Sequence, residues 1–322
     1  MELPPALRQA VDEALVGVPL KALARASEEL SRRYRGEVRD GRLHLSDDLF
    51  ARAYLATRLP ATYAAVRAAF EAAAEVQPDF SPLTLLDAGA GPGSALWAAG
   101  DCWPSLQEAR LIEGSAPMRA LGERFSTYAP AEKVAWRTGD LAGDALLALS
   151  PHDLVTLAYV LDELSPERRA PLLARLWELT AGTLVIVEPG TPAGYNRILA
   201  AREQLLMAGA HLLAPCPHRQ ACPLIAPDWC HFMRRVARSR LHRQAKGGEV
   251  PWEDEKFIYL AAARRSGRAP RARVLAPARV GRGRVTLKLC QPDGVAVSRL
   301  CTRRDGALYK AARRVGWGDV LE

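Results

Sequence analysis

Two groups of residues in this 322-residue chain have types and spacing that can do chemistry. The first is LTLLDAGAGPG, where Asp87 is followed by Gly89, Gly91 and Gly93. Glycines at two-residue steps permit a tight turn and let the backbone approach a ligand closely. A helix opening at Ser94 would turn its N-terminal N–H groups toward an anionic group. Glu113, twenty residues past Gly93, can accept hydrogen bonds from ribose hydroxyls, and Asp140 in TGDL can meet an adenine amino group. The Walker arrangement of Lys and Ser/Thr behind the glycines is absent, so a nucleoside-like ligand without a polyphosphate fits better. A plain structural loop is the competing reading, because loops tolerate glycine.

The second group is Cys216, Cys222 and Cys230, spaced C-x5-C-x7-C in a Pro-rich stretch and making up half of the six cysteines. Soft thiolates select zinc or iron–sulfur centres. Cys290, Cys301, His218 and His231 are candidates for a fourth ligand; a Cys3His set suits structural zinc and a four-iron cluster takes four Cys. Buried free thiols are the alternative, and Cys102 stands apart as a buried side chain.

A basic run, HFMRRVARSRLHRQAK, carries Arg234, Arg235, Arg238, Arg240, Arg243 and Lys246 with no acid among them. That charge suits RNA phosphates, and Trp229, Phe232 and Trp252 nearby could stack on bases. The competing readings are a solvated face for the charges and core packing for the aromatics. Overall net charge is +8, but residues 263–322 hold 15 Lys/Arg against 4 Asp/Glu, a net of +11, which leaves −3 elsewhere. Asp162 and Glu163 could act near a substrate or simply sit solvated at a helix start. No catalytic base is assigned.

The elements that must position these groups alternate in type. Residues 5–78 read as helices, with Pro near a helix start and an Ala-rich run from Ala61 to Gln77. From Pro82 onward, LTLLDAG, ARLIEGS, KVAWRTGD, HDLVTLAYV and GTLVIVEP read as five strands separated by helices, the βαβ pattern of a parallel sheet. Residues 191–212 read as a helix, FIYLAAA as a last sheet strand, RRSGRAPRAR as a linker, and RVTLKLC with the QPDG turn as β structure. The expected fold class is α/β: a Rossmann-like parallel sheet with an N-terminal helical cap, a cysteine-rich insertion and a small basic β-rich C-terminal part. The expected division is 1–80 helical, 81–264 the sheet domain with the insertion at 213–231, and 265–322 basic and β-rich.

D-x-G-x-G-x-G resembles motif I of class I S-adenosylmethionine-dependent methyltransferases. That resemblance implies a class I methyltransferase (Rossmann-like) sheet over residues 81–264, with Asp87 and Gly89 near the methionine part, Glu113 on the ribose, and Asp140 with Leu141 beside the adenine. The [DNS]-P-P-[YFW] signature of amino-group methylation is absent; the region after the fourth strand reads AYVLDEL. CPHRQACPL, DWCHFMRRVARSRLHRQAK, PWEDEKFIYL and YKAARRVGWGD resemble the bacterial relatives of the mitochondrial methyltransferase-like protein that assists small ribosomal subunit assembly. This resemblance implies a four-cysteine 4Fe-4S site at Cys216, Cys222, Cys230 and Cys290, which would clamp the C-terminal part onto the rest. It also implies small-subunit rRNA and the assembling subunit as partners. The expected function is an S-adenosylmethionine-dependent rRNA methyltransferase acting in that assembly. A non-catalytic RNA-binding assembly factor and a small-molecule methyltransferase are the alternatives.

No run approaches the roughly 18–20 apolar residues of a membrane span. The opening MELPPALRQAVDEAL lacks the apolar core of a signal peptide, and six cysteines make no disulfide scaffold. A cytoplasmic protein, monomeric when free, is the expectation.

Overall fold

The computed structural model describes residues 1–36, 45, 47–141 and 143–321. Four helices open the chain: α1 (Pro5–Leu15), α2 (Leu20–Arg35), α3 (Asp48–Thr57) and α4 (Leu59–Val76). Proline near the start suits α1 and α4, since its missing N–H falls where no intrahelical partner exists. The α3 start is closed by Asp47, whose carboxylate accepts from the Phe50 N–H at 2.9 Å. Alanine lets α4 approach its neighbours closely: Ala61, Ala64, Ala65, Ala68, Ala69 and Ala73 are all buried.

An alternating stretch follows: β1 (Thr84–Ala88), α5 (Ser94–Cys102), β2 (Glu108–Glu113), α6 (Ala116–Ser126), β3 (Lys133–Thr138), β4 (His152–Ala158), α7 (Pro166–Glu178), β5 (Thr180–Pro189) and α8 (Pro192–Met207). The chain then adds β6 (His211–Ala214), β7 (Phe232–Ala237), α9 (Arg240–Lys246) and β8 (Trp252–Ala263). These strands form one sheet in the order β3-β2-β1-β4-β5-β8-β6, with β7 paired to β8 as well. The first five strands are parallel; β8 runs antiparallel to β5. A parallel sheet whose strand order reverses at β1/β4, with antiparallel β8 inserted between β5 and β6, is the class I methyltransferase-like architecture. Ligands bind in the crevice where the strand order reverses. Central strands β1, β4 and β5 are almost wholly apolar and buried, whereas edge strand β3 is mostly exposed.

Helix α8 stops at Met207, short of the expected Leu212, because the chain turns at Gly209 into β6. Strand β8 starts at Trp252, five residues before FIYLAAA. Its charged half pairs with β7 and its apolar half with β5 and β6, so the last strand of this sheet in chain order lies inside it rather than at its edge. The basic run is a strand followed by a short helix.

The remaining strands, β9 (Ala272–Val274), β10 (Arg279–Gly281), β11 (Arg284–Cys290), β12 (Ala296–Thr302) and β13 (Val320–Leu321), make a second sheet, with α10 (Ala307–Ala312) packed beside it. Val274, Val285, Leu287, Leu289, Cys301, Ala312 and Leu321 form its own small core. The N-terminal helices share one core with the large sheet. No helix among the described residues is long and apolar enough to cross a membrane.

Candidate functional site

Above the C-terminal ends of β1, β2 and β4 lies a cleft of about 1980 Å³. The glycine loop forms its floor. Gly89, Gly91 and Gly93 all have left-handed φ, at +73°, +55° and +90°. The Gly89 and Ala90 N–H groups donate to the Ile112 carbonyl at 2.9 and 3.0 Å, so the loop folds onto the end of β2. At Gly89 a Cβ would come within 2.4 Å of Val160 Cγ2, so only glycine fits there.

Glu113 pins the loop from the other side. Its Oε2 accepts from Gly91 N–H at 2.8 Å and its Oε1 from Ser115 N–H at 2.7 Å. Burial pushes this carboxyl up, and the two backbone donors pull it back. Each oxygen keeps a lone pair for a further donor, such as a ribose hydroxyl. Gly89, Gly91, Glu113, Asp140 and Leu141 line the cleft. Asp87 and Gly93 stand behind it. Gly93 caps α5 against Leu111 and Trp136.

Asp87 is 1% exposed. Its Oδ1 accepts from Thr156 Oγ1 at 2.5 Å, while its Oδ2 has no partner. Burial pushes its carboxyl up to about 7. A buried acceptor short of a donor beneath a glycine cradle suits a ligand that brings an ammonium group.

The segment after β4 forms the wall. Tyr159 has φ +58°, a conformation costly for a side chain with a Cβ. Its hydroxyl donates to Glu255 Oε1 at 2.9 Å, and Glu255 also meets Arg58 at 3.5 Å. Leu161 N–H donates to Glu188 Oε1 at 3.1 Å, and Glu188 Oε2 holds Arg197 at 2.6 Å with both side chains buried. Arg169 clamps the Leu161 and Leu164 carbonyls. Burial and the Asp162 charge push Glu163 up to about 8, and the same two causes raise Glu188 against the pull of Arg197. Asp162 is therefore not a solvated helix-start carboxylate: it is 6% exposed, and α7 begins later, at Pro166, whereas Glu163 beside it is exposed.

Sequence reasoning missed the roof. Tyr34, Tyr54, Arg58 and Thr62 from α2, α3 and α4 all reach the cleft. Tyr54 Oη and Thr62 Oγ1 are 2.9 Å apart, and burial pushes the Tyr54 phenol up to about 12. The signal was present: Tyr54, Arg58 and Thr62 recur every four residues in an otherwise alanine-rich stretch.

The expected metal site is corrected. All six cysteines are free thiols. Cys222 Sγ lies 3.1 Å from the Tyr195 hydroxyl, and Cys290 Sγ 3.3 Å from His218 Nε2. Burial raises Cys216, Cys230 and Cys290, the last to about 12, and the neighbouring thiols push the same way. These are conditions for protonated thiols rather than thiolate ligands. Among the described residues no group of three or more His, Cys, Asp or Glu could hold a metal ion. The 4Fe-4S site at Cys216, Cys222, Cys230 and Cys290 is therefore overturned, and the zinc alternative with it. The C-terminal sheet is held instead by Arg273, which donates to the Pro215 and Gly318 carbonyls at 3.1 and 2.9 Å, and by a Lys288–Asp228 ion pair.

The basic run is largely neutralised. Arg235 makes a two-pronged pair with Asp254 at 2.8 and 3.0 Å. Arg238 and Lys246 converge on Glu253, at 3.1 and 3.5 Å, and Arg234 lies 3.7 Å from Glu71. Arg240 is exposed and Arg243 half-buried.

Residues 49–322 match a family described as mitochondrial small ribosomal subunit Rsm22. The mitochondrial ribosome assembly protein METTL17 of Homo sapiens is 33% identical over 286 residues, which is 83% of this chain and 61% of that protein. The mitochondrial Rsm22-cox11 tandem protein 2 of Schizosaccharomyces pombe is 24% identical over 320 residues, 84% of this chain and 42% of the relative. The chain thus spans roughly half of these curated relatives' length. They are mitochondrial, which overturns the cytoplasmic expectation. Among solved structures, an O-methyltransferase family protein from Burkholderia thailandensis has a TM-score of 0.47 and 12% identity over 78% of this chain and 74% of its own.

Proposed function

We propose that this chain, which belongs to the Rsm22 family of the mitochondrial small ribosomal subunit, is an RNA-binding small-subunit assembly factor built on a methyltransferase fold, and not an rRNA methyltransferase. The observation that carries this reading is the segment after β4. A methyl acceptor needs polar groups presented beside the cofactor. Here Tyr159 is spent on Glu255, the Leu161 amide on Glu188, and the Leu161 and Leu164 carbonyls on Arg169.

The cleft nonetheless fits S-adenosylmethionine. Asp87 Oδ2 is a buried acceptor without a donor, Gly89 admits no side chain, and Glu113 has lone pairs to spare. Asp87, Gly89, Gly91, Glu113, Asp140 and Leu141 would hold it, and Gly93 would set the turn into α5. When bound, this group supplies an electrophilic methyl. That retained cleft favours the enzymatic alternative, so the test must separate the two.

The gene is deleted, methylated nucleotides in the small-subunit rRNA are mapped, and particle profiles are recorded. Complementation uses wild type and Gly91→Ala. Defective particles with unchanged methylation support the assembly factor. A methyl mark lost on deletion and restored by wild type alone overturns it.

A further inference from the structure

We infer that the open half of the C-terminal sheet is an RNA-docking face, and that it, rather than the basic run of β7 and α9, meets the phosphates of a folded RNA. The partner rests on the assembly-factor reading; the surface is argued from the residues.

Alternation along β11 decides which face is open. Val285, Leu287 and Leu289 are fully buried with Cys301 and Ala312, on the side that packs with α10. Arg284, Thr286, Lys288 and Cys290 point the other way. The lower end of that second face is covered, since Lys288 pairs with Asp228 and Cys290 meets His218. Its upper end is not covered. There the strand register sets Arg279, Thr286 and Leu300 in one row and Gly281, Arg284 and Thr302 in the next. Leu300 is 57% exposed.

The hairpin turn between β10 and β11 adds Arg282. The Arg303 N–H donates to the Gly283 carbonyl at 3.2 Å, which brings the 3-10 turn Arg303–Asp305 alongside. Arg279, Arg282, Arg284, Arg303 and Arg304 thus gather at one end of the sheet, and all five are exposed. Among the described residues none of them has an ion-pair partner, and Asp305 in the same turn is occupied by the Thr302 N–H and hydroxyl at 2.5 and 2.9 Å. The contrast with β7 is the register: there Arg235 lies opposite Asp254 and pairs with it, so its charge is answered within the sheet.

Guanidiniums are permanently charged and bind phosphate through paired N–H donors. Five of them around one exposed leucine suit a backbone of repeated phosphates, with the leucine against a ribose or base. A protein interface would instead carry little charge at its centre.

The test uses the full chain and a fluorescein-labelled RNA hairpin of unrelated sequence, followed by anisotropy across a salt series. Arg279→Gln/Arg284→Gln/Arg303→Gln should weaken binding by about tenfold or more and flatten the log–log salt slope by about 2–3, since each lost phosphate contact removes roughly 0.7–0.9. Arg235→Gln/Arg240→Gln should stay within about twofold of wild type, because only Arg240 among the pair is free for phosphate. Matching thermal melts confirm that the variants fold. The reverse pattern, with the triple variant unchanged and the β7/α9 variant weakened, overturns the surface and leaves the assembly-factor reading standing. A triple variant that loses binding to polyglutamate but keeps RNA assigns the face to an acidic protein and overturns the proposal. No RNA binding by wild type overturns the surface and the reading beneath it.

Discussion

Replacing Asp87 by Asn tests whether the cleft stores an uncompensated charge. Asp87 is fully enclosed, with one oxygen satisfied by Thr156 and the other by nothing. Its folded pKa of about 7 lies above the unfolded value of roughly 3.9. A carboxyl raised on folding holds its proton more tightly in the folded state. Its ionisation therefore favours unfolding, and stability falls as pH rises from about 4 to about 7. Three pKa units correspond to about 4 kcal/mol once both states are ionised. From about pH 5 to about pH 8 the part that accrues is about 3 kcal/mol. Asn keeps the shape and the acceptor for Thr156 but cannot ionise. Any fixed cost of its unpaired amide, roughly 1–3 kcal/mol, is the same at every pH and cancels in the difference.

Urea unfolding followed by circular dichroism at several pH values measures the gap between Asp87→Asn and wild type. That gap should move in favour of the variant by about 3 kcal/mol between about pH 5 and about pH 8. A gap that stays constant with pH refutes the reasoning. Added S-adenosylmethionine extends the test. Its ammonium beside Oδ2 would draw the carboxyl back down, so it should stabilise wild type more than the variant at the higher pH. Equal stabilisation of both would remove Asp87 from the cofactor's contacts.

Gly89→Ala and Gly91→Ala both place a Cβ at left-handed φ, a cost of roughly 1–2 kcal/mol, but only the first also drives it into Val160. Denaturant titration should therefore find Gly89→Ala at least twice as costly, and equal costs would contradict the close approach. Arg197→Met strands the buried Glu188 carboxylate and should lose about 3–5 kcal/mol, much of it regained in Glu188→Met/Arg197→Met; a loss below about 1 kcal/mol would show that the pair is not buried as described. Although burial opposes it, His242, Lys246 and Arg238 hold Glu253 down to about 2. A depressed carboxylate stabilises above its unfolded pKa and loses that contribution as pH falls. The advantage of wild type over Glu253→Gln, up to about 3 kcal/mol at neutral pH, should accordingly vanish between about pH 4 and about pH 2. Acid titration of both proteins checks it.

The parts of the fold that were legible are those whose signals are local. Strands β1, β4 and β5 each carry a short apolar run in a βαβ alternation, and the glycine loop announces itself because positive φ leaves few other residues. Strand β7 was not legible, since MRRVAR reads as a run of charge, and its partner WEDEK reads only as an acidic cluster. The two make sense only as a ladder, where each supplies the other's counter-charge. The cysteines failed for a related reason. Their spacing places three thiols in one loop, but ligation depends on how the side chains converge and on whether they ionise. Burial among neighbouring thiols raises them instead. The glycine loop after β1 and Glu113 at the end of β2, which line the cleft, were legible, and the roof on α2 to α4 was not. A helix-borne Tyr or Arg faces a cleft only once the helix is docked.

Charge placement shows how far composition carries. A net of +8 with the excess in the last sixth of the chain pointed to a polyanion but left two basic regions in competition. Pairing register separates them. In the β7–β8 ladder Arg235 faces Asp254 and pairs with it, and such an exposed pair contributes about 0–1 kcal/mol while removing both charges from long-range attraction. In the β10–β11–β12 ladder the residues opposite Arg284 and Arg279 are Gly281, Thr302 and Thr286, none of which can neutralise a guanidinium. The sign of the region is the same in both cases. The free charge is set by which strand lies alongside, so the face available to phosphates is the one whose cross-strand neighbours are neutral.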